Sequence, residues 1–157
     1  MPTEAQWEYA ARAFSLDDYP WGNDRSCDFG NICVTDGYSC EPFPVPVRSY
    51  PPNGFGLYEV SGNSTEMCSD WFDLGIDMSV VWGQTYYEWC LENYPDGIVN
   101  PQGPPDAPPG ITVNEYFPYH VMRGGPPNEV MACMMWARHT CLTSPFDCFR
   151  VVLEPPK

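Results

Sequence analysis

Asn53-Gly54-Phe55-Gly56-Leu57-Tyr58-Glu59-Val60-Ser61-Gly62-Asn63 decides how the rest of the chain is read. Pro51-Pro52-Asn53-Gly54 is turn chemistry, Phe55 to Val60 reads as a short strand, and Ser61-Gly62-Asn63 reads as a second turn. Thr65 to Phe72 then returns as a further strand. Outward from this centre the same texture continues. The 19 Pro and 13 Gly of the chain disfavour long helices, because Pro lacks an amide donor and Gly loses the most backbone entropy on ordering. Short strands, turns and loops are expected to dominate.

Upstream, Thr3 and Gln6 form a capping box, with Trp7, Ala10, Ala11 and Phe14 on one face behind it, so a helix is expected at the start. Beyond Leu16, Asp17 to Asn23 is a turn that opens a polar, cysteine-bearing loop to about Pro46, with no regular element expected. Downstream, Leu74 to Asn93 is ambiguous between a short helix and an aromatic insertion. Residues 95 to 110 hold six prolines and read as an extended surface connection. His120 to Gly125, Val130 to Thr140 and Cys148 to Leu153 read as core strands.

Composition bounds the function. The 157 residues make one domain, 1–157, and 43% hydrophobic with 18% charged residues is the composition of a folded globule rather than a disordered tail. The net charge of −14 repels phosphate backbones and anionic lipid, and the basic residues Arg12, Arg25, Arg48, Arg123, Arg138, Arg150 and Lys157 are too scattered to build a local patch. Nucleic acid is therefore not an expected partner. The longest apolar run, Val130 to Ala137, is far short of the ~20 residues that span a bilayer. The 8 cysteines, at 27, 33, 40, 68, 90, 133, 141 and 148, lack the C-x2-C spacing of most zinc sites. Disulfide crosslinks fit better, and with them an extracellular or periplasmic location. Spacing does not choose among the pairings. Residues 1 to 14 are amphipathic with two Glu, so they are no signal peptide, and a secreted form would be processed or truncated.

Several short motifs stand in a fixed order: Pro2-Thr3-Glu4-Ala5-Gln6-Trp7-Glu8-Tyr9-Ala10-Ala11-Arg12, Tyr19-Pro20-Trp21-Gly22-Asn23, the 53–63 stretch, Glu66, Asp70-Trp71-Phe72, Arg123-Gly124-Gly125 and Phe149-Arg150. Together they resemble the formylglycine-generating enzyme family, also called the sulfatase-modifying factor domain. The resemblance implies an α+β, C-type-lectin-like fold with little regular structure. It also implies that the chain is the C-terminal part of the domain, since the family has a further half before the Pro-Thr-Glu-Ala helix.

The family's oxidase chemistry uses a copper(I) ion on two cysteines five positions apart, just after the Gly-Gly pair, and two thiolates suit so soft a cation. Here the spacings from 133 to 141 and from 141 to 148 are eight and seven. Counting from Gly125, the thiolate positions fall on Glu129 and Met134, and Pro126 replaces the serine that usually follows Arg-Gly-Gly. Copper is therefore not expected. Cys133 and Cys141 remain weak redox candidates, with a disulfide or buried thiol as the plainer reading of both.

The resemblance also implies calcium at Glu59, Gly62, Ser64 and Glu66, all-oxygen ligands suited to a hard cation, and a weaker set at Asn31, Ile32, Asp36 and Tyr38. An arbitrary acidic pair such as Glu59 and Glu66 is otherwise a pair of solvated or turn-capping groups. Asn63-Ser64-Thr65 fits the glycosylation pattern, but the family packs this Asn inward. His120 and His139 form no nucleophile motif and read as structural. Trp7, Trp21, Tyr58, Trp71, Trp136 and Phe149 read as core; Arg123 and Arg150 match arginines that the resemblance implies are paired with buried acids, and fold support is their expected role. The expectation is a non-catalytic, calcium-stabilised, extracytoplasmic module that binds a protein, peptide or glycan through its loops. The alternatives are a copper- and oxygen-dependent oxidase making formylglycine and a lectin-like variable ligand receptor.

Overall fold

A computed structural model describes residues 1–35, 38–71, 120–125, 147–148 and 150–151, with Trp71 and Asp147 described by backbone alone. The expectations for 74–93, 95–110 and 130–140, and the positions Asp36, Glu129, Cys133, Met134, Trp136, Cys141 and Phe149, lie outside the described residues.

The helix forms where its capping box sits. α1 spans Glu4–Arg12; the Thr3 hydroxyl accepts from the Gln6 amide at 3.2 Å and the Gln6 side chain accepts from the Thr3 amide at 3.0 Å. Glu4 in its first turn and Arg12 in its last complement the helix dipole. A second, long-range cap adds to the local one, because the Asp70 carboxylate accepts from the Glu4 amide at 2.7 Å. Trp7 and Ala11 are buried, as expected. Phe14 corrects the reading: Ala13 turns left-handed with φ 46 and ends the helix, so Phe14 leaves the helical face and lies exposed against Tyr9 and Phe55.

A second correction falls on the cysteine-bearing loop. β1 (Cys33–Thr35) and β2 (Tyr38–Ser39) pair antiparallel there, and the disulfide Cys27–Cys40 ties the loop beside them. The pairing packs Ile32 with Tyr19 in a small core flanked by Trp21, Val34 and Cys40.

The expected strand at Phe55 to Val60 is a turn instead. Asn53 explains why, since its Oδ1 accepts from the Phe55 and Leu57 amides at 3.0 and 2.9 Å and so occupies donors that a ladder would need. Its Nδ2 donates to the carbonyls of Ala10 and Ala11, at 2.8 and 2.9 Å, and ties the turn to the end of α1.

Among the described residues, strand β3 (Thr65–Trp71) is central in a three-stranded sheet of order β4-β3-β5. It pairs antiparallel with β4 (His120–Arg123), Glu66 opposite Arg123, and parallel with β5 (Asp147–Cys148), Glu66 opposite Cys148. The strand expected over Cys148 to Leu153 is thus confined to its first residue among those described, because Arg150 and Val151 lie outside the ladder. Trp7, Ala11, Val60, Cys68 and Val121 form the main core between α1 and the sheet. This packing brings the helix, the 58–66 turn and the end of β5 to one place.

Candidate functional site

Glu66 is where these elements meet. Its carboxylate Oε2 accepts from the Trp7 indole at 2.7 Å and from Arg150 Nε at 2.6 Å, and the side chain is buried. Arg150 continues across the turn, donating from Nη2 to the backbone carbonyls of Tyr58 at 2.8 Å and Glu59 at 3.1 Å. On the other strand, Arg123 is 1% exposed; it bonds Glu4 at 2.8 Å and Glu8 at 3.1 Å and lies over the Trp7 ring at 4.9 Å. Each arginine thus pairs with a buried acid, Arg123 with Glu4 and Arg150 with Glu66, and Arg123 also reaches the half-exposed Glu8.

Three of the four residues expected to hold calcium, Glu59, Ser64 and Glu66, line one cleft of ≈ 410 Å³ together with Arg48, Tyr58 and Arg150. Gly62 is buried beside it, its amide donating to Gly124 at 2.7 Å and its carbonyl accepting from Ser64 at the same distance. The acids, however, face donors. Glu59 accepts from the Arg48 and Tyr50 amides at 2.9 and 3.2 Å, one on each carboxylate oxygen. A divalent ion on Glu66 Oε2 would lie against the Arg150 guanidinium, a like charge on the same atom. The set as arranged does not fit calcium alongside Arg150, since such an ion takes six to eight oxygens at roughly 2.3–2.6 Å.

The weaker set is divided. Asn31 and Ile32 are buried and their carbonyls accept from Asn63 and Cys40, whereas Tyr38 lies exposed on β2. Asn63 settles the glycosylation pattern: the residue is 7% exposed and its side chain is bonded to Val45 through both Oδ1 and Nδ2, at 2.7 and 3.1 Å. A glycosylated amide has no room in that fold. His120 approaches the Asp70 carbonyl at 3.2 Å, a structural contact. Among the described residues no three of His, Cys, Asp and Glu are grouped to hold a metal ion.

Sequence reasoning missed Asn53 and Asn63 as the tethers of the site, and Arg48, whose guanidinium stacks on Tyr58 at 5.4 Å. For Asn53 the available signal was the Asn53-Gly54 dipeptide, whose Asn side chain mimics backbone in turns. The cysteines also divide. Cys33 and Cys68 are buried thiols, and burial pushes the Cys68 thiol far up, helped by Glu4 and only partly offset by Arg123. Iodoacetamide applied to the native protein is expected to leave both unmodified; in denaturant without reductant both are expected to react while Cys27 and Cys40 do not, as read by peptide mass spectrometry. Modification of Cys68 in the native state would contradict its burial.

Compared with known proteins, the chain matches the family model of the sulfatase-modifying factor enzyme 1-like domain over residues 1–140. It is 34% identical over 134 residues to a formylglycine-generating enzyme of Thermomonospora curvata, covering 76% of this chain and 39% of that protein. It is 33% identical over 126 residues to the serine/threonine-protein kinase pkn1 of Chlamydia pneumoniae, covering 80% of this chain and 15% of the kinase. Among solved structures, Treponema denticola variable protein 1 superposes with a TM-score of 0.62 at 21% identity, covering 95% of this chain and 45% of that one. The chain thus spans less than half the length of each of these relatives.

Proposed function

This chain belongs to the sulfatase-modifying factor enzyme 1-like domain family, and we propose that it is a member without the oxidase chemistry, a binding module acting outside the cytoplasm. One observation carries the reading: no two cysteines are five apart, and the positions counted from Gly125 hold Glu129 and Met134. A carboxylate and a thioether do not replace two thiolates as an electron-rich cradle for copper(I). The described architecture is accounted for by fold support, with both arginines and Glu66 spent on joining α1, the turn and the sheet.

Scaffold and chemistry separate easily in such folds, because a rigid frame tolerates variable loops. The occurrence of this domain in proteins named as a formylglycine-generating enzyme and as a kinase accords with that separation. The module's ligand is a protein, a peptide or a glycan met by the loops around the cleft, as in the lectin-like variable receptors. The disulfide Cys27–Cys40 supports the extracytoplasmic placement, since such bonds persist in oxidising compartments. The reading does not depend on calcium at Glu59 and Glu66.

A second reading is favoured by the names of the relatives: oxidation of a substrate cysteine to formylglycine by molecular oxygen at copper(I). Anaerobic copper(I) titration followed by exposure to oxygen with a cysteine-containing peptide separates the two. The expected result is no copper-dependent loss of peptide thiol above a protein-free control. Turnover that saturates at one copper per chain would establish the oxidase and remove the binding-module reading.

A further inference from the structure

We propose that Arg150 is the structural cation of the Tyr58–Glu66 turn, a tethered guanidinium taking the place of a metal ion. Its three contacts are all to oxygen: Glu66 Oε2 at 2.6 Å, the Tyr58 carbonyl at 2.8 Å and the Glu59 carbonyl at 3.1 Å. One carboxylate with two backbone carbonyls is the kind of donor set that hard cations gather from a loop. Here a side chain 84 residues from Glu66 supplies the positive charge. Its planar fork matches the arrangement, with Nε turned to the acid and Nη2 to the carbonyls.

The conformation of Glu59 follows from the same division. Its carboxylate is held by the Arg48 and Tyr50 amides, and its backbone takes φ 49, so the residue offers Arg150 its carbonyl and keeps its acid for the preceding loop. Trp7 completes the fit by donating to the carboxylate oxygen that Arg150 uses. Glu66 is buried, with 4% of its side chain exposed, and a buried carboxylate requires a paired charge. Arg150 is 30% exposed, so it reaches that acid from the cleft side. The turn is thereby closed by the chain's own chemistry, and its integrity is independent of free calcium. This holds whether or not the module has an enzymatic activity.

Thermal unfolding of the whole chain in EDTA and in millimolar calcium, for the native protein and for Arg150→Gln, tests this. The native midpoint is expected to be the same in both solutions. Arg150→Gln, which shortens the side chain and removes its charge, is expected to melt lower in EDTA and to recover part of the loss in calcium, because the vacated oxygens then accept an ion. A native midpoint that falls in EDTA and returns with calcium overturns the proposal, as does an Arg150→Gln midpoint equal to the native one. Should Arg150→Gln not fold, terbium luminescence on the native protein decides. Trp7 touches Glu66 and would sensitise an ion bound there, so no emission dependent on Glu66 is expected. Emission that Glu66→Gln abolishes overturns the assignment.

Discussion

Arg123→Leu is expected to destabilise the domain by about 3–5 kcal/mol, the range for removing one partner of a buried ion pair. Leucine replaces part of the stem's packing but leaves the Glu4 carboxylate, 6% exposed and formerly 2.8 Å from the guanidinium, as a buried charge. It also strips the cation from the Trp7 face and uncouples β4 from α1. Urea denaturation of the native protein and the variant reads the loss. Adding Glu4→Gln to the variant is expected to return a good part of it, since the buried charge goes with the acid; a double variant no better than Arg123→Leu would mean that packing, not charge, was lost. Arg123 also sets an acid limb through Glu8. Burial pushes the Glu8 carboxyl up, but Arg123 and Arg12 together outweigh it and hold the group below the usual range. A carboxyl depressed in the folded state binds its proton more readily when unfolded, so its contribution is present above the unfolded value and is lost as pH falls through the folded one. Native stability is expected to decline there, and to decline less in Arg123→Leu.

What sequence shows of this molecule is what is local in the chain. The capping box of α1 involves residues three apart and is legible directly. The end of that helix is not, because nothing in Ala13 announces a left-handed cap, and helical spacing alone therefore puts Phe14 on the wrong face. The β1–β2 pair is hidden by its brevity, and its covalent neighbour Cys27–Cys40 is one of many possible pairings. Asn53 shows the difficulty in another form: alternation over Phe55 to Val60 resembles a strand, yet the amides are taken by a side chain that also reaches α1. At the site, the resemblance names Glu59, Gly62, Ser64 and Glu66, three of which line one cleft with Gly62 buried beside it. It does not show what neutralises Glu66, because the partner arrives from the far end of the chain and ion pairs of that range leave no periodicity to read.

Gly62→Ala is the substitution from which the largest loss after Arg123→Leu is expected, about 2–5 kcal/mol from two contributions. Gly62 has φ +78, a conformation that costs a residue with a Cβ roughly 1–2 kcal/mol. The added carbon would also stand 2.2 Å from the Asn31 carbonyl oxygen and 2.8 Å from Ile32 Cγ2. That carbonyl accepts from the Asn63 amide at 2.8 Å, so moving it aside leaves buried polar groups unpaired, at about 1–3 kcal/mol more. Gly56→Ala separates the two. Gly56 has the same φ of +78, and nothing lies within 4 Å of the place its Cβ would occupy, so it incurs the conformational cost alone. Urea midpoints for the two variants should therefore differ by the contact cost, with Gly62→Ala lower. Equal midpoints would show that the Asn31 carbonyl yields without loss, and the turn carrying Glu59 and Glu66 would then be held from the Arg150 side rather than by its packing on the β1 loop.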